Sequence, residues 1–196
     1  MNLKERTINT HTLYQGRVFK LKSDKVILPN GKTSTRDVIS HPGAVAILPL
    51  LAPDRILLVS QYRYAIEKVL LEVPAGTIDL NESPIECAYR ELLEETGYQA
   101  KEVRKLIQFY VAPGYSSELL HVYVANGLKK TKKSTEFDEF IHVKIMSLVK
   151  AFQLVADNTI QDAKTICSLL YYAYEKRIPW INRKDDKYNW EINVHA

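Results

Sequence analysis

Three observations predict an α+β protein. Most of the periodic segments are short, apolar and strand-like; only three stretches carry helical periodicity; and no internal repeat or low-complexity linker divides them. At 196 residues, 46% hydrophobic and 26% charged, the chain is long enough to bury a proper core as one domain, with or without an arm. Cys87 and Cys167 lie far apart in helical, apolar surroundings, so both are expected as buried small hydrophobes rather than a disulfide. The opening residues MNLKERTINTHTLYQG have no apolar leader, and no apolar run approaches a membrane span. A soluble cytoplasmic protein without membrane contact is the expectation. The net charge is +4, with a pI near 8.9. Nucleic-acid binding would need that charge in a stripe with interleaved aromatics. Instead the densest cluster, Lys129, Lys130, Lys132 and Lys133, sits between two strand-like segments as a solvated hairpin loop. No nucleic-acid partner is expected.

In chain order, residues 17–28 and 35–41 read as strands around the turn signal Pro29-Asn30-Gly31. Residues 44–50 and 55–60 are strands too apolar for a sheet edge, and Pro53-Asp54 separates them. Further strands are expected at 69–73, 103–111, 119–125 and 140–145, and helices at 84–96, 147–157 and 160–177. The first helix is the best delimited. Ser83 can cap it, Pro84 fits its first position, Glu86 completes a capping box, and Gly97 ends it.

That helix carries the chemistry. At 3.6 residues per turn, Glu91, Glu94 and Glu95 share one face, and three adjacent like charges repel. A divalent cation offsets that repulsion, and carboxylate oxygens are ligands that Mg²⁺ prefers. Arg90 can pair with Glu86 or Glu94, four residues away on either side, and so orient the cluster. Ile85, Ala88 and Leu92 form the opposite, core-facing side.

The segment from Gly76 to Tyr98 resembles the Nudix hydrolase box, G-x5-E-x7-R-E-U-x-E-E-x-G-U, where U is bulky and apolar. Gly76, Glu82, Arg90, Glu91, Leu92, Glu94, Glu95, Gly97 and Tyr98 meet every constrained position, too many at fixed spacing for chance agreement. The resemblance implies a Nudix fold, a mixed β-sheet between helices, preceded by an N-terminal β-strand arm. It implies that Glu91 and Glu95 ligate Mg²⁺, or Mn²⁺ as a substitute, with Glu94 bridging, the Ala75 carbonyl contributing and Glu82 in support. Residues 8–177 narrow the likeness to bacterial ADP-ribose pyrophosphatases: LPNGKTSTRDVISHPGAVAILPL, SQYR at 60–63, EVPAG at 72–76, APGYSSELLHVYVA at 112–125 and DAKT at 162–165. That branch has a marker proline beyond the box, here Pro113, although Ala112 stands where Ser is frequent.

The implied reaction is hydrolysis of ADP-ribose to AMP and ribose 5-phosphate. Other nucleoside diphosphate sugars (ADP-glucose, GDP-mannose, UDP-sugars) are the alternative substrates. A MutT-like triphosphatase stands third, disfavoured by Pro113 and the arm. A non-catalytic nucleotide-binding module is the rival from another class, although all four box glutamates are kept. Arg63 is the implied phosphate contact, since a guanidinium forks onto phosphate oxygens; its alternative is a structural ion pair. Gln61, Arg36, Pro113, Gly114 and Tyr115 are further substrate candidates, with Ser116 beside them. Tyr14 and Phe19 can stack on an adenine or pack on the core. His121 reads as a packed or surface histidine. The general base is expected in STEFDEFIHV: Glu139 first, Glu136 as alternative, with Asp138 beside them. The expected organisation is a strand arm at 1–42, which relatives exchange in a homodimer, a hydrolase domain at 43–180 and a tail at 181–196.

Overall fold

The computed structural model describes residues 3–131 and 140–178. Its strands are β1 (Arg6–Gln15), β2 (Lys20–Ile27), β3 (Thr33–Ser40), β4 (Ala44–Ala52), β5 (Arg55–Arg63), β6 (Lys68–Glu72), β7 (Ala75–Thr77), β8 (Tyr98–Gln99), β9 (Glu102–Tyr110), β10 (Leu119–Asn126), β11 (Lys129–Lys130) and β12 (His142–Ser147). Its α-helices are α1 (Pro84–Thr96), α2 (Leu148–Ala156) and α3 (Ala163–Lys176). A mixed sheet of order β12-β5-β4-β10-β9 forms the centre, with β6 paired to β5 and β7 to β4. β4 runs parallel to β10 and antiparallel to β5 and β7. Among the described residues no helix is long and apolar enough to cross a membrane.

Period-two alternation along β4 makes the sandwich. Val45 and Ile47 face α1 and pack with Cys87, Ala88, Leu92, Tyr123 and Ala125. Ala44, Ala46, Leu48 and Leu50 join Leu148, Phe152, Leu169 and Tyr172 of α2 and α3 on the other side. Both faces of β4 are covered, which is why its sequence is apolar throughout instead of alternating.

β1 to β3 form a separate antiparallel sheet. Backbone bonds tie its last strand to the turn after β9: Ile39 N–H donates to Tyr115 O (2.7 Å), and Ser117 N–H donates to Ile39 O (2.9 Å). Several sequence expectations are corrected here. β1 is an additional strand, and the one expected at 17–28 begins at Lys20. All ten residues of β1 are exposed, so it carries no hydrophobic periodicity to read. The last helix begins at Ala163 rather than 160, because Asp162 caps it by accepting from Thr165 N–H. Ile85 is exposed, and Cys87 takes its place against the sheet. Cys167 is exposed, not buried. Lys129 and Lys130 pair with Gln99 and Tyr98 rather than lying in a loop, while Lys132 and Lys133 fall outside the described residues.

Because Leu92 is fully buried between α1 and the sheet, Leu92→Ala should lower stability by about 3 kcal/mol. Urea denaturation followed by circular dichroism would measure it.

Candidate active site

The box starts on β7, whose residues pair with β4 so that Gly76 lies opposite Val45. It ends on α1, held at both termini. Ser83 N–H donates to Glu86 Oε2 (2.9 Å) while the Ser83 hydroxyl accepts from Glu86 N–H (3.4 Å), and Pro84 follows the cap. At the other end Gly97 takes φ 72°, and its N–H donates to Leu93 O (2.8 Å). Glu86 is thereby spent on the cap and is not the partner of Arg90, contrary to one of the two pairings open in the sequence.

Arg90 instead occupies the middle of the box. Its Nε and Nη2 grip Glu82 at 2.7 and 2.9 Å, and Nη1 donates to Glu91 Oε1 (2.7 Å) and Glu94 Oε2 (3.0 Å). Nη2 also reaches the Thr77 carbonyl (3.2 Å). These bonds to Glu82 push the Arg90 pKa up and hold the Glu82 carboxyl down at about 2. Glu95 is 3% exposed, and its Oε2 accepts from Ala75 N–H at 3.1 Å. Cys87 is buried beneath the box; burial raises its pKa and keeps it a neutral thiol.

Glu91, Glu95, Arg90, Ala75, Gly76 and Thr77 line a cleft of about 390 Å³, together with Arg63, Gln61, Asp79, Arg17 and Val18. The cleft thus gathers two of the expected metal ligands, the Ala75 backbone and two expected substrate residues. Among the described residues, no three Asp, Glu, His or Cys side chains converge into a metal-holding group, and Arg90 sits among the carboxylates. The donor set nonetheless suits a hard divalent cation. Arg90 bonds Glu82, Glu91 and Glu94, and Glu95 lies on the same cleft, so carboxylate oxygens, the ligands a hard cation prefers, are gathered here. The backbone also makes room for these oxygens. A Cβ on Gly76 would lie 1.8 Å from Glu91 Oε1.

Arg63 enters the cleft from the end of β5 with a partner the sequence did not disclose. Its Nε and Nη2 donate to the two oxygens of Glu72 at 2.7 Å each. Glu72 is 1% exposed and also accepts from Lys164 Nζ. Burial alone would raise the Glu72 pKa, but the bonds from Arg63 and Lys164 hold it below the ordinary carboxylate value. Lys164 and its neighbours Asp162 and Thr165 belong to DAKT, so the signal was present, but nothing in it names Glu72 as the target.

Other expected residues lie apart from this cleft. Arg36 is exposed on β3 and forks onto Glu5 at 3.0 and 2.6 Å. Pro113, Gly114 and Tyr115 form the turn that fastens the arm to the core, with Tyr115 and Ser116 N–H both donating to Ala112 O. Tyr14 and Phe19 are exposed and lean on one another, ring centres 6.1 Å apart. His121 is half-buried in β10, and burial lowers its pKa. Glu136, Asp138, Glu139 and the tail at 181–196 lie outside the described residues.

Residues 40–169 match the NUDIX domain, and residues 5–39 match the nucleoside diphosphate sugar hydrolase N-terminal domain. The chain is 40% identical over 177 residues to the methanol dehydrogenase activator of Bacillus methanolicus, covering 89% of this chain and 96% of that one. It is also 40% identical over 172 residues to the ADP-ribose pyrophosphatase of Bacillus subtilis (strain 168), covering 87% and 93%. A solved ADP compounds hydrolase superposes with a TM-score of 0.79 over 92% of this chain and 100% of that one; at 24% identity the likeness concerns the fold.

Glu72→Gln should cost about 3 kcal/mol, since it leaves two cations beside a neutral, buried amide. The folded pKa of Glu72 is depressed, so its contribution is present above the unfolded carboxyl value near 4.5 and lost as pH falls through the folded value. Stability measured from pH 7 down to pH 2 should accordingly fall less steeply in the variant than in the wild type.

Proposed function

The chain belongs to the Nudix family, and from that premise we propose that it hydrolyses ADP-ribose to AMP and ribose 5-phosphate. The observation that carries this reading is the single cleft in which box carboxylates Glu91 and Glu95 meet Arg63 and Gln61. A cation-holding edge and a phosphate-gripping guanidinium are the two things a pyrophosphate needs. The groups that would hold Mg²⁺, or Mn²⁺ in its stead, are Glu91, Glu94, Glu95 and the Ala75 carbonyl, with Glu82 behind them. When bound, the cation neutralises phosphate charge and lowers the pKa of a water.

The residues of the chain do the rest. Arg90 spaces the carboxylates and keeps Glu82, Glu91 and Glu94 from drifting apart. Arg63 and Gln61 orient the diphosphate, so that one phosphorus stands open to a water. A base takes the proton of that water, its oxygen bonds to phosphorus, and the bridging P–O bond breaks. Glu139 is the proposed base and Glu136 the alternative, because the box carboxylates would be taken up in holding the cation.

The two relatives of equal identity bear different names, so overall likeness does not select the substrate. The match to a nucleoside diphosphate sugar hydrolase N-terminal domain favours a sugar nucleotide over a triphosphate. It also keeps other nucleoside diphosphate sugars as the second reading. A non-catalytic module is disfavoured by the intact box.

A panel of ADP-ribose, ADP-glucose, GDP-mannose and UDP-glucose with Mg²⁺ should give the highest kcat/KM for ADP-ribose; no turnover on any of them overturns the proposal. Glu95→Gln should lower kcat at least about a hundredfold with the fold retained. Glu139→Gln should lower it by roughly 10²–10⁴-fold with KM little changed. A normal Glu139→Gln beside a dead Glu136→Gln would move the base by three residues and keep the mechanism.

All ten residues of β1 are exposed, and Arg36 is not among the residues that line the cleft of its own protomer. We therefore also propose a homodimer in which the arm and Arg36 complete the partner's site. Light scattering should find two 22.5 kDa chains per particle; a monomer fully active at nanomolar concentration would dismiss the dimer.

A further inference from the structure

We propose that Lys164, on the first turn of α3, is a positioning residue for pyrophosphate binding. Acting through Glu72, it fixes the Arg63 guanidinium and keeps its charge available to phosphate. The inference rests on the cleft being a pyrophosphate site, and it concerns a residue that touches no substrate itself.

The geometry is a relay of buried charges. Glu72 is 1% exposed, so its carboxylate has no water to turn to and must be satisfied by protein. Arg63 meets it side-on through Nε and Nη2. A guanidinium has five N–H donors, and this contact spends two of them. The plane of Arg63 is set, while three N–H groups remain on a residue that lines the cleft.

Charge explains why a second cation is required. Arg63 and Lys164 both meet the Glu72 carboxylate, so the buried anion does not draw on Arg63 alone. Lys164 Nζ donates to the same Glu72 oxygen that accepts from Arg63 Nη2, and also to Asp162 Oδ1 at 2.9 Å. Two cations and two carboxylates make the cluster neutral. Without Lys164 it would carry a net negative charge beside the phosphate site. Asp162 is itself committed, accepting from Thr165 N–H (3.0 Å) and from the Thr165 hydroxyl (2.5 Å).

A second tie runs parallel to the first. The Thr165 hydroxyl oxygen accepts from Val73 N–H at 2.8 Å, so successive residues 72 and 73 are both held by α3. Two residues later Ala75 N–H donates to Glu95. The Thr165 contact, the Asp162 cap and the buried face of Leu169, Tyr172 and Ala173 also dock the helix. What Lys164 adds is charge on the Arg63 carboxylate, and that addition can be tested separately.

The experiment compares wild type, Lys164→Met, Lys164→Arg, Arg63→Ala and the Arg63→Ala/Lys164→Met double variant. Titration calorimetry with ADP and Mg²⁺ gives the Kd, ADP-ribose turnover gives kcat and KM, and circular dichroism checks folding. Lys164→Met is expected to raise the ADP Kd and the ADP-ribose KM about tenfold or more while kcat changes less than about threefold. Lys164→Arg should return both constants to within about threefold of wild type. In the Arg63→Ala background Lys164→Met should add nothing, since its effect passes through that arginine. Wild-type ADP affinity in Lys164→Met, or penalties that multiply in the double variant, would overturn the inference. If Lys164→Met does not fold, Lys164→Gln replaces it; failure of both to fold assigns Lys164 to structure alone and overturns the proposal too. A wild type that binds ADP but hydrolyses no sugar nucleotide defeats the functional reading, and the ADP results still judge Lys164.

Discussion

Four carboxylates cannot be brought to one end of a helix and one short loop without a cation among them, and in this chain that cation is Arg90. Its fork onto Glu82 joins the loop before α1 to the helix itself, while Nη1 reaches Glu91 and Glu94 on the helix face. A lysine in its place would offer a point charge and could not span three partners in fixed directions. The same guanidinium also takes the Thr77 carbonyl, so strand, loop and helix are clasped by a single side chain. The capping box and Gly97 fix where α1 begins and ends, but Arg90 decides how its acidic face is presented.

That clasp works only because the opposite side of α1 is anchored. Leu92 and Ala88 are fully buried against Val45 and Ile47, so rotation of the helix about its axis would cost core contacts. β4 faces α1 with one set of side chains and α2 and α3 with the other, and it pairs with β7 at the start of the box. The active face is thus set by a strand buried on both sides, far more rigid than a loop would be. Close approach at Gly76 then lets the Glu91 carboxylate lie against the backbone of β7.

Legibility in the sequence followed the physics of each element. α1 was readable to the residue because its signals are local: a capping box, a proline, a glycine and a 3.6-residue period. β4 and β5 were readable because burial on both faces leaves a continuous apolar run. β1 was not, because a strand with all residues exposed owes its existence to pairing with β2 and has no pattern of its own. Ile85 and Cys87 exchanged roles since both suit a core face and only the packing against Val45 and Ile47 chooses. The Glu72 cluster was hidden for another reason. Its members lie 92 residues apart in sequence, and a glutamate at the end of an apolar strand looks like any solvated terminus.

Comparing the two acidic groups separates scaffolding from chemistry. Glu72 is enclosed, meets two cations of its own, and has no unbalanced charge with which to attract a ligand. Such a pair is costly to disrupt. The box glutamates are the reverse case: Glu82, Glu91 and Glu94 share one guanidinium, and Glu91 and Glu95 open onto a cleft. Carboxylates gathered this closely repel one another, and positive charge among them relieves that repulsion. Glu95 is buried, and a carboxylate removed from water gains most from such a charge. Arg63 stands where the two regimes meet, its charge shared between a buried carboxylate and the open cleft. The same residue type therefore holds the fold at position 72, enclosed between Arg63 and Lys164, and lines an open cleft at positions 91 and 95.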